Sequence, residues 1–357
     1  MKPSLRLTGR RLKKLIYPYL PATLKGEYES YRFAQRTRVP NTVYLDTTSA
    51  CNLNCVMCAA QRPATKAIKP SGYMDLSLFK RLVDEIARDL PSIEYVYLHK
   101  DGEPLLHPDI VEMIQYASSR HPNVTLVTNA TLLDERMARA ILATPLQKIR
   151  FSVDGLTRDT FEKIRIQLPS NEFVRTGTDV GYNAVMANIE RFLHLRRHTG
   201  NTTLNVGIRT TNFKPTSGEI DAYRAHWSAK VDYVDVATLF SWTGEIGKEQ
   251  SSSREPCLSP WLSLVVSCDG TLVPCCTYID ASGHGKGALF DLNRGTLRAA
   301  LTAKGRTALM RAHLDNDLEE VAPYCVPCRD WRDVPIPTRG RKRIFARMRE
   351  AATATTS

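Results

Sequence analysis

Cys51-Asn52-Leu53-Asn54-Cys55-Val56-Met57-Cys58 sets three thiols within eight residues, directly after a β-branched and aromatic run, Thr42 to Thr47, that reads as a strand. Three thiolates on one loop can converge on one face of an iron–sulfur cube and leave one iron open. A closed structural zinc site wants four ligands, and no fourth Cys or His lies close by in the sequence. The loop therefore asks for a scaffold that presents strand ends around it. Further short runs of strand character follow at Glu94 to His99, Val124 to Thr128, Lys148 to Val153, Leu204 to Arg209 and Tyr233 to Leu239. Helical patterns alternate with them: Ser77 to Leu90 behind the N-cap Asp75, then Ile110 to Ser119, Asp134 to Leu142, Tyr182 to Arg197 and Ile220 to Ser228. This is the pattern of βαβ units around a parallel sheet. Six such units are too few to close an eight-fold barrel, so the expected fold class is α/β, an open, partial (β/α)6 barrel over residues 41–250.

After Phe240 the texture changes. A polar stretch, Ser241 to Glu255, leads to two short strands, Trp261 to Ser267 and Thr271 to Val273, around the turn at Asp269-Gly270. A loop with Gly283, Gly285 and Gly287, a helix around Thr296 to His313 and a Cys325-x-x-Cys328 knuckle complete a smaller unit over residues 251–335. Residues 1–40 form a basic N-terminal extension and residues 336–357 a basic C-terminal tail.

Charge separates these ends from the body. Of the formal +12 over 357 residues, residues 1–40 carry +8 (ten Lys/Arg against two Glu) and residues 336–357 carry +5 (six against one), so residues 41–335 sum to −1. A nearly neutral body argues against a groove that tracks nucleic acid. In the extension, Arg10, Arg11, Lys13 and Lys14 interleave with Leu12, Leu15 and Ile16. They read as a surface helix packed on the barrel, with contact to a membrane surface or another anionic ligand as the alternative. The chain has no apolar run of the ~18 residues a membrane span needs and no signal-peptide pattern, which places the expected compartment in the cytoplasm. Nine cysteines in that reducing compartment read as metal ligands or reactive thiols rather than disulfides.

A Cys-x3-Cys-x2-Cys loop after the first strand of a β/α barrel resembles the motif of the radical S-adenosylmethionine (SAM) superfamily, with Met57 standing where the family has an aromatic residue. Three further segments fall at the predicted strand ends where such a barrel gathers its site. His99-Lys100-Asp101-Gly102-Glu103-Pro104 resembles the family's Gly-Gly-Glu segment, which holds the SAM amino group, with Asp101 in place of the first Gly. Ser152-Val153-Asp154-Gly155 resembles the Ser-x-Asp-Gly segment that contacts the SAM ribose and carboxylate, and Thr128-Asn129-Ala130 ends the third strand. Each segment alone would be ordinary turn chemistry; their order and placement carry the resemblance.

The resemblance implies a [4Fe–4S] cluster on Cys51, Cys55 and Cys58, with SAM contacted by Asp101, Gly102, Glu103, Asn129, Ser152, Asp154 and Arg165. It implies reductive cleavage of SAM to methionine and a 5′-deoxyadenosyl radical that takes a hydrogen atom from an unactivated C–H. A flavodoxin or ferredoxin-type protein would supply the electron.

Cys257, Cys275, Cys325 and Cys328 are spaced C-x17-C-x49-C-x2-C, which resembles the twitch form of the SPASM module, whose hairpin and knuckle hold one auxiliary [4Fe–4S] cluster. A structural zinc site on the same thiolates is the competing reading. Cys268 and Cys276 are left over. Adjacent strand residues face opposite sides, so Cys276 should point away from whatever Cys275 binds. Each is either a small buried residue or a thiol that returns a hydrogen atom to a substrate radical.

Twitch-bearing relatives of this kind resemble 2-deoxy-scyllo-inosamine dehydrogenase and related aminoglycoside and sugar enzymes. They imply a sugar or aminocyclitol substrate, free or carrier-linked, oxidised at a hydroxyl-bearing carbon with the auxiliary cluster as electron acceptor. Epimerisation, with Cys268 or Cys276 as donor, and peptide crosslinking are the alternatives. Lys100, Arg150 and Arg209 are candidate substrate-handling groups, and Asp101 and His99 candidate bases.

Overall fold

The structure is a computed structural model that describes residues 39–58, 72–167, 180–239, 254–278, 287–328 and 341–353, with a few positions between 21 and 33. Most of the basic extension, most of the stretch 241–255, Gly283 and Gly285 lie outside the described residues.

In chain order the barrel elements are β1 (Thr42–Leu45), β2 (Leu53–Cys55), α1 (Leu76–Asp89), β3 (Tyr95–Tyr97), α2 (Ile110–Arg120), β4 (Val124–Thr128), α3 (Glu135–Leu142), β5 (Lys148–Ser152), α4 (Arg158–Ile164), β6 (Arg165–Gln167), α5 (Tyr182–His198), β7 (Asn205–Asn212), α6 (Ile220–Ser228) and β8 (Tyr233–Thr238). Six of these strands pair in parallel in the order β1-β3-β4-β5-β7-β8, as the alternation requires. Helix α1 begins where Asp75 Oδ1 accepts from Leu78 N at 2.9 Å, and its Leu78, Phe79, Leu82, Val83 and Ile86 are buried on one face. The period-2 alternation of the strands divides their side chains. Val43, Val96, Leu126, Ile149, Phe151 and Ile208 lie in the main core, while Tyr44, Tyr97, Arg150 and Arg209 line a cavity on the other face. Each fully buried aliphatic contributes about 1.5–3 kcal/mol, which is what seats the helices on the outside.

The second region follows as α7 (Ser259–Leu262), β9 (Ser263–Val266), β10 (Thr271–Val273), β11 (Phe290–Asp291), α8 (Leu297–Leu301), α9 (Lys304–Asp315) and α10 (Arg341–Thr353). The hairpin forms where expected, with Gly270 at φ +86° in its turn. It is not set apart from the barrel. β9 pairs in parallel with β1, from Thr42 opposite Ser263 to Leu45 opposite Val266, giving one nine-stranded sheet, β11-β10-β9-β1-β3-β4-β5-β7-β8.

Three readings of the sequence are corrected. The single helix around 296–313 is two, parted at Ala303, whose ψ of 139° is not helical. Buried Arg306 stabilises the break by donating to Leu301 O at 2.6 Å and to Pro260 O at 2.7 Å. Residues 341–353 of the basic tail form a helix whose Ile344, Met348 and Ala352 pack with Leu258, Trp261 and Met310. Strands β2 and β6, three residues each, carry no readable alternation and form a separate antiparallel pair.

Candidate active site

The strand ends and the cysteine loop enclose a cavity of about 390 Å³. At one end Cys51, Cys55, Met57 and Cys58 form its wall. The β2–β6 pair sets Cys55 opposite Arg165, and Val56 N donates to Ile164 O at 3.0 Å, so the loop is held against the end of α4. Burial raises the Cys51 thiol well above its ordinary range, and neighbouring Cys55, Glu103 and Cys58 raise it further. Burial also raises Cys55 to about 12, against the pull of Arg165. Such thiols ionise readily only beside a bound cationic centre.

Glu103 anchors the adjoining wall. Its Oε1 accepts from Thr128 Oγ1 at 2.6 Å and Leu105 N at 3.0 Å, and its Oε2 from Asn129 N at 2.7 Å. Burial raises its pKa, and these donors oppose the rise. Glu103 N donates to Ala50 O at 2.8 Å, and Gly102 lies so close to the root of the loop that a Cβ there would stand 2.1 Å from Thr48 O. Asn129 Nδ2 donates to Asn52 Oδ1 at 3.0 Å, which ties the end of β4 to the loop as well.

Of the residues expected at SAM, Gly102, Glu103, Asn129, Ser152 and Arg165 line the cavity. Asp101 and Asp154 do not. Asp101 is buried and paired with Lys100, and its N donates to Asp46 Oδ1 at 3.1 Å. Asp154 Oδ2 accepts from Arg165 Nη2 at 2.6 Å, and its Oδ1 accepts from Thr211 N at 2.7 Å. Both carboxylates stand behind the wall, because each neutralises a buried cation that does reach it.

The rest of the wall escaped the sequence reading in part. Tyr44 and Tyr97 stack at 4.8 Å with His99 edge-on to both. Burial lowers His99 to about 3, helped by Arg150 and Arg209, so it presents a neutral imidazole to the cavity. Arg150 Nη1 lies 3.0 Å and Arg209 Nη1 3.7 Å from Asp235 Oδ2. His99, Arg150 and Arg209 were candidates from the sequence, whereas Tyr44 and Tyr97 were signalled only by the inward register of strand residues.

The two unassigned cysteines part company. Cys276 and Thr277 line the cavity beside Tyr44. Cys268 is buried elsewhere, its Sγ donating to Ser49 Oγ at 3.5 Å. Cys275 is raised to about 11 by burial and by adjacent Cys276, and lies close enough to Cys257 and Cys325 to push both thiols up. Cys328 acts on Cys257 and Cys325 in the same way, so the four cysteines spaced from 257 to 328 come together. Lys100 Nζ donates to Tyr278 O at 2.9 Å and joins this region to the end of β3.

Among the described residues no three His, Cys, Asp or Glu side chains close around one point as a single metal ion requires. The fit to be judged is therefore to a polynuclear cluster with donors at its corners. Three thiols from one loop, and four from the segment before α7, the end of the hairpin and a knuckle, all half-buried, have the donor chemistry of iron–sulfur ligation.

Residues 45–216 match the Radical SAM superfamily. The fold is the α/β radical SAM fold; the structure titled native anSMEcpe with bound AdoMet superposes with a TM-score of 0.56 at 14% identity, over 87% of this chain and 96% of that one. Among curated proteins, the AdoMet-dependent heme synthase of Methanosarcina barkeri is 32% identical over 130 residues, 36% of this chain and 35% of its own length. The tungsten-containing aldehyde ferredoxin oxidoreductase cofactor-modifying protein of Pyrococcus furiosus is 26% identical over 204 residues, 57% of this chain and 52% of its own length. The chain thus matches between a third and about half of these relatives. The superfamily that these residues match implies SAM and a [4Fe–4S] cluster. Neither relative's name gives a sugar substrate. Among the described residues no helix is long and apolar enough to cross a membrane.

Proposed function

We propose that this protein is a radical SAM enzyme that removes a hydrogen atom from a hydroxyl-bearing carbon of a sugar or aminocyclitol and oxidises that carbon to a ketone. The observation that carries the reading is the composition of one small cavity. The cysteine loop forms one end, hydroxyl, imidazole and guanidinium groups line the middle, and Cys276-Thr277, next to the second cysteine set, form the side. Cys51, Cys55 and Cys58 would hold the first cluster, Glu103, Asn129, Ser152 and Arg165 would hold SAM, and Cys257, Cys275, Cys325 and Cys328 would hold the second cluster. When bound, these groups supply the 5′-deoxyadenosyl radical and a one-electron acceptor. The protein supplies position, with the Tyr44–Tyr97 stack beside polar donors that fit hydroxyl groups. His99 presents a neutral imidazole on the same wall, a hydrogen-bond partner for a substrate hydroxyl.

Epimerisation is the second reading, favoured by the Cys276 thiol at the cavity. The test uses reconstituted protein with reductant, SAM and a panel of sugars and cyclitols in deuterated water. A compound that raises 5′-deoxyadenosine formation and emerges as a ketone supports oxidation. A product carrying deuterium on carbon, lost in Cys276→Ala, supports epimerisation. Stimulation by peptides and by no sugar would overturn both.

A further inference from the structure

The charged groups of the cavity wall do not balance evenly among the described residues. Lys100 is paired with Asp101, and Arg165 with Asp154. Glu103, at the cysteine-loop end, accepts three hydrogen bonds. Two further guanidinium groups of the lining, Arg150 and Arg209, share the carboxylate of Asp235 at ion-pair distance, 3.0 and 3.7 Å. These two cations therefore carry one more charge than the carboxylate they share. Arg150 is largely buried, and its Nε has no hydrogen-bond partner among the described residues. Burial lowers the pKa of Arg209 and the adjacent Arg150 lowers it further, the signature of two like charges held together. Two guanidinium forks facing a cavity suit bidentate recognition of a carboxylate or phosphate.

We propose that the substrate carries an anionic group, a carboxylate or a phosphate, and that Arg150 and Arg209 bind it. The inference rests on this cavity being the substrate site of a radical SAM enzyme. Within that reading it favours an acidic or phosphorylated sugar over an amino-bearing cyclitol, since an ammonium would meet like charge here.

Inorganic phosphate and acetate serve as probes, titrated calorimetrically at low ionic strength into the reconstituted full-length protein with SAM bound. Either anion should bind the wild type and bind Arg150→Gln/Arg209→Gln about tenfold more weakly or worse. Asp235→Asn, which releases both guanidinium groups, should bind it more tightly; that opposite sign is not produced by general damage, and this arm decides alone if the double variant does not fold. Phosphate tighter than acetate assigns a phosphate group, and the reverse a carboxylate. Failure of both anions to bind, or equal binding by wild type and variants, would overturn the proposal. So would a parallel loss of SAM affinity in the double variant, because the arginines would then serve the SAM carboxylate. The same preparations are assayed for 5′-deoxyadenosine; its absence in the wild type refutes the radical SAM reading itself, whatever the anions do.

Discussion

Gly102 tolerates no side chain. A Cβ would stand 2.1 Å from Thr48 O and 2.4 Å from Ala50 O, on the backbone that carries the cysteine loop. Gly102→Ala should cost about 1–3 kcal/mol and displace the loop. A thermal melt should show the loss of stability, and iron analysis a fall in loading; unchanged iron would separate Gly102 from cluster placement. A pH prediction follows from His313, buried in α9, whose pKa burial and Arg254 lower from 6.5 to about 3. The unfolded chain binds a proton below about pH 6.5 that the folded chain refuses, so stability is full above that pH and falls as pH drops toward 3. His313→Gln should flatten this acid limb, removing about 1.4 kcal/mol of the stability lost between pH 7.5 and 5.5, measured by urea unfolding across that range. An unchanged limb would show that His313 takes no part. Residue identity was legible where chemistry is concentrated, as at the three-cysteine loop and Glu103. It was not legible for Asp101 and Asp154, because the same Asp type can face a ligand or neutralise a buried cation, and only the packed structure tells which.

At the scale of elements, periodicity made the parallel strands and their helices readable, since each buries one clear stripe or face. The β2–β6 pair was out of reach because three residues hold no period, yet it sets Arg165 opposite Cys55. Helix α10 was hidden differently. Arg341, Lys342, Arg343, Arg347 and Arg349 dominate its composition, while the Ile344, Met348 and Ala352 stripe that docks it is only three residues wide. Trp261 Nε1 donates to Met348 O at 3.1 Å, so the helix also satisfies a buried indole. Met348→Ala should destabilise the protein by about 2–5 kcal/mol, visible as a lower urea midpoint with an unchanged slope. A midpoint like that of the wild type would mean that α10 contributes little to the fold.

For the whole molecule, the continuity of β9 with β1 is the main addition to what the sequence showed. The hairpin register Leu272 opposite Val266 follows from its turn, but pairing of residues 263–266 with 42–45 spans more than 200 positions and leaves no local trace. Its consequence is that the cysteine loop after β1 and Cys276, just past the β9–β10 hairpin, line the same cavity. Under the proposed function, Cys51, Cys55 and Cys58 hold one iron–sulfur cluster and Cys257, Cys275, Cys325 and Cys328 hold a second beside this cavity. Anaerobic reconstitution followed by iron and sulfide analysis tests it directly. The wild type should hold about eight irons, and a Cys51→Ala/Cys55→Ala/Cys58→Ala variant about four. About four irons in the wild type, with zinc in the second site, would contradict it.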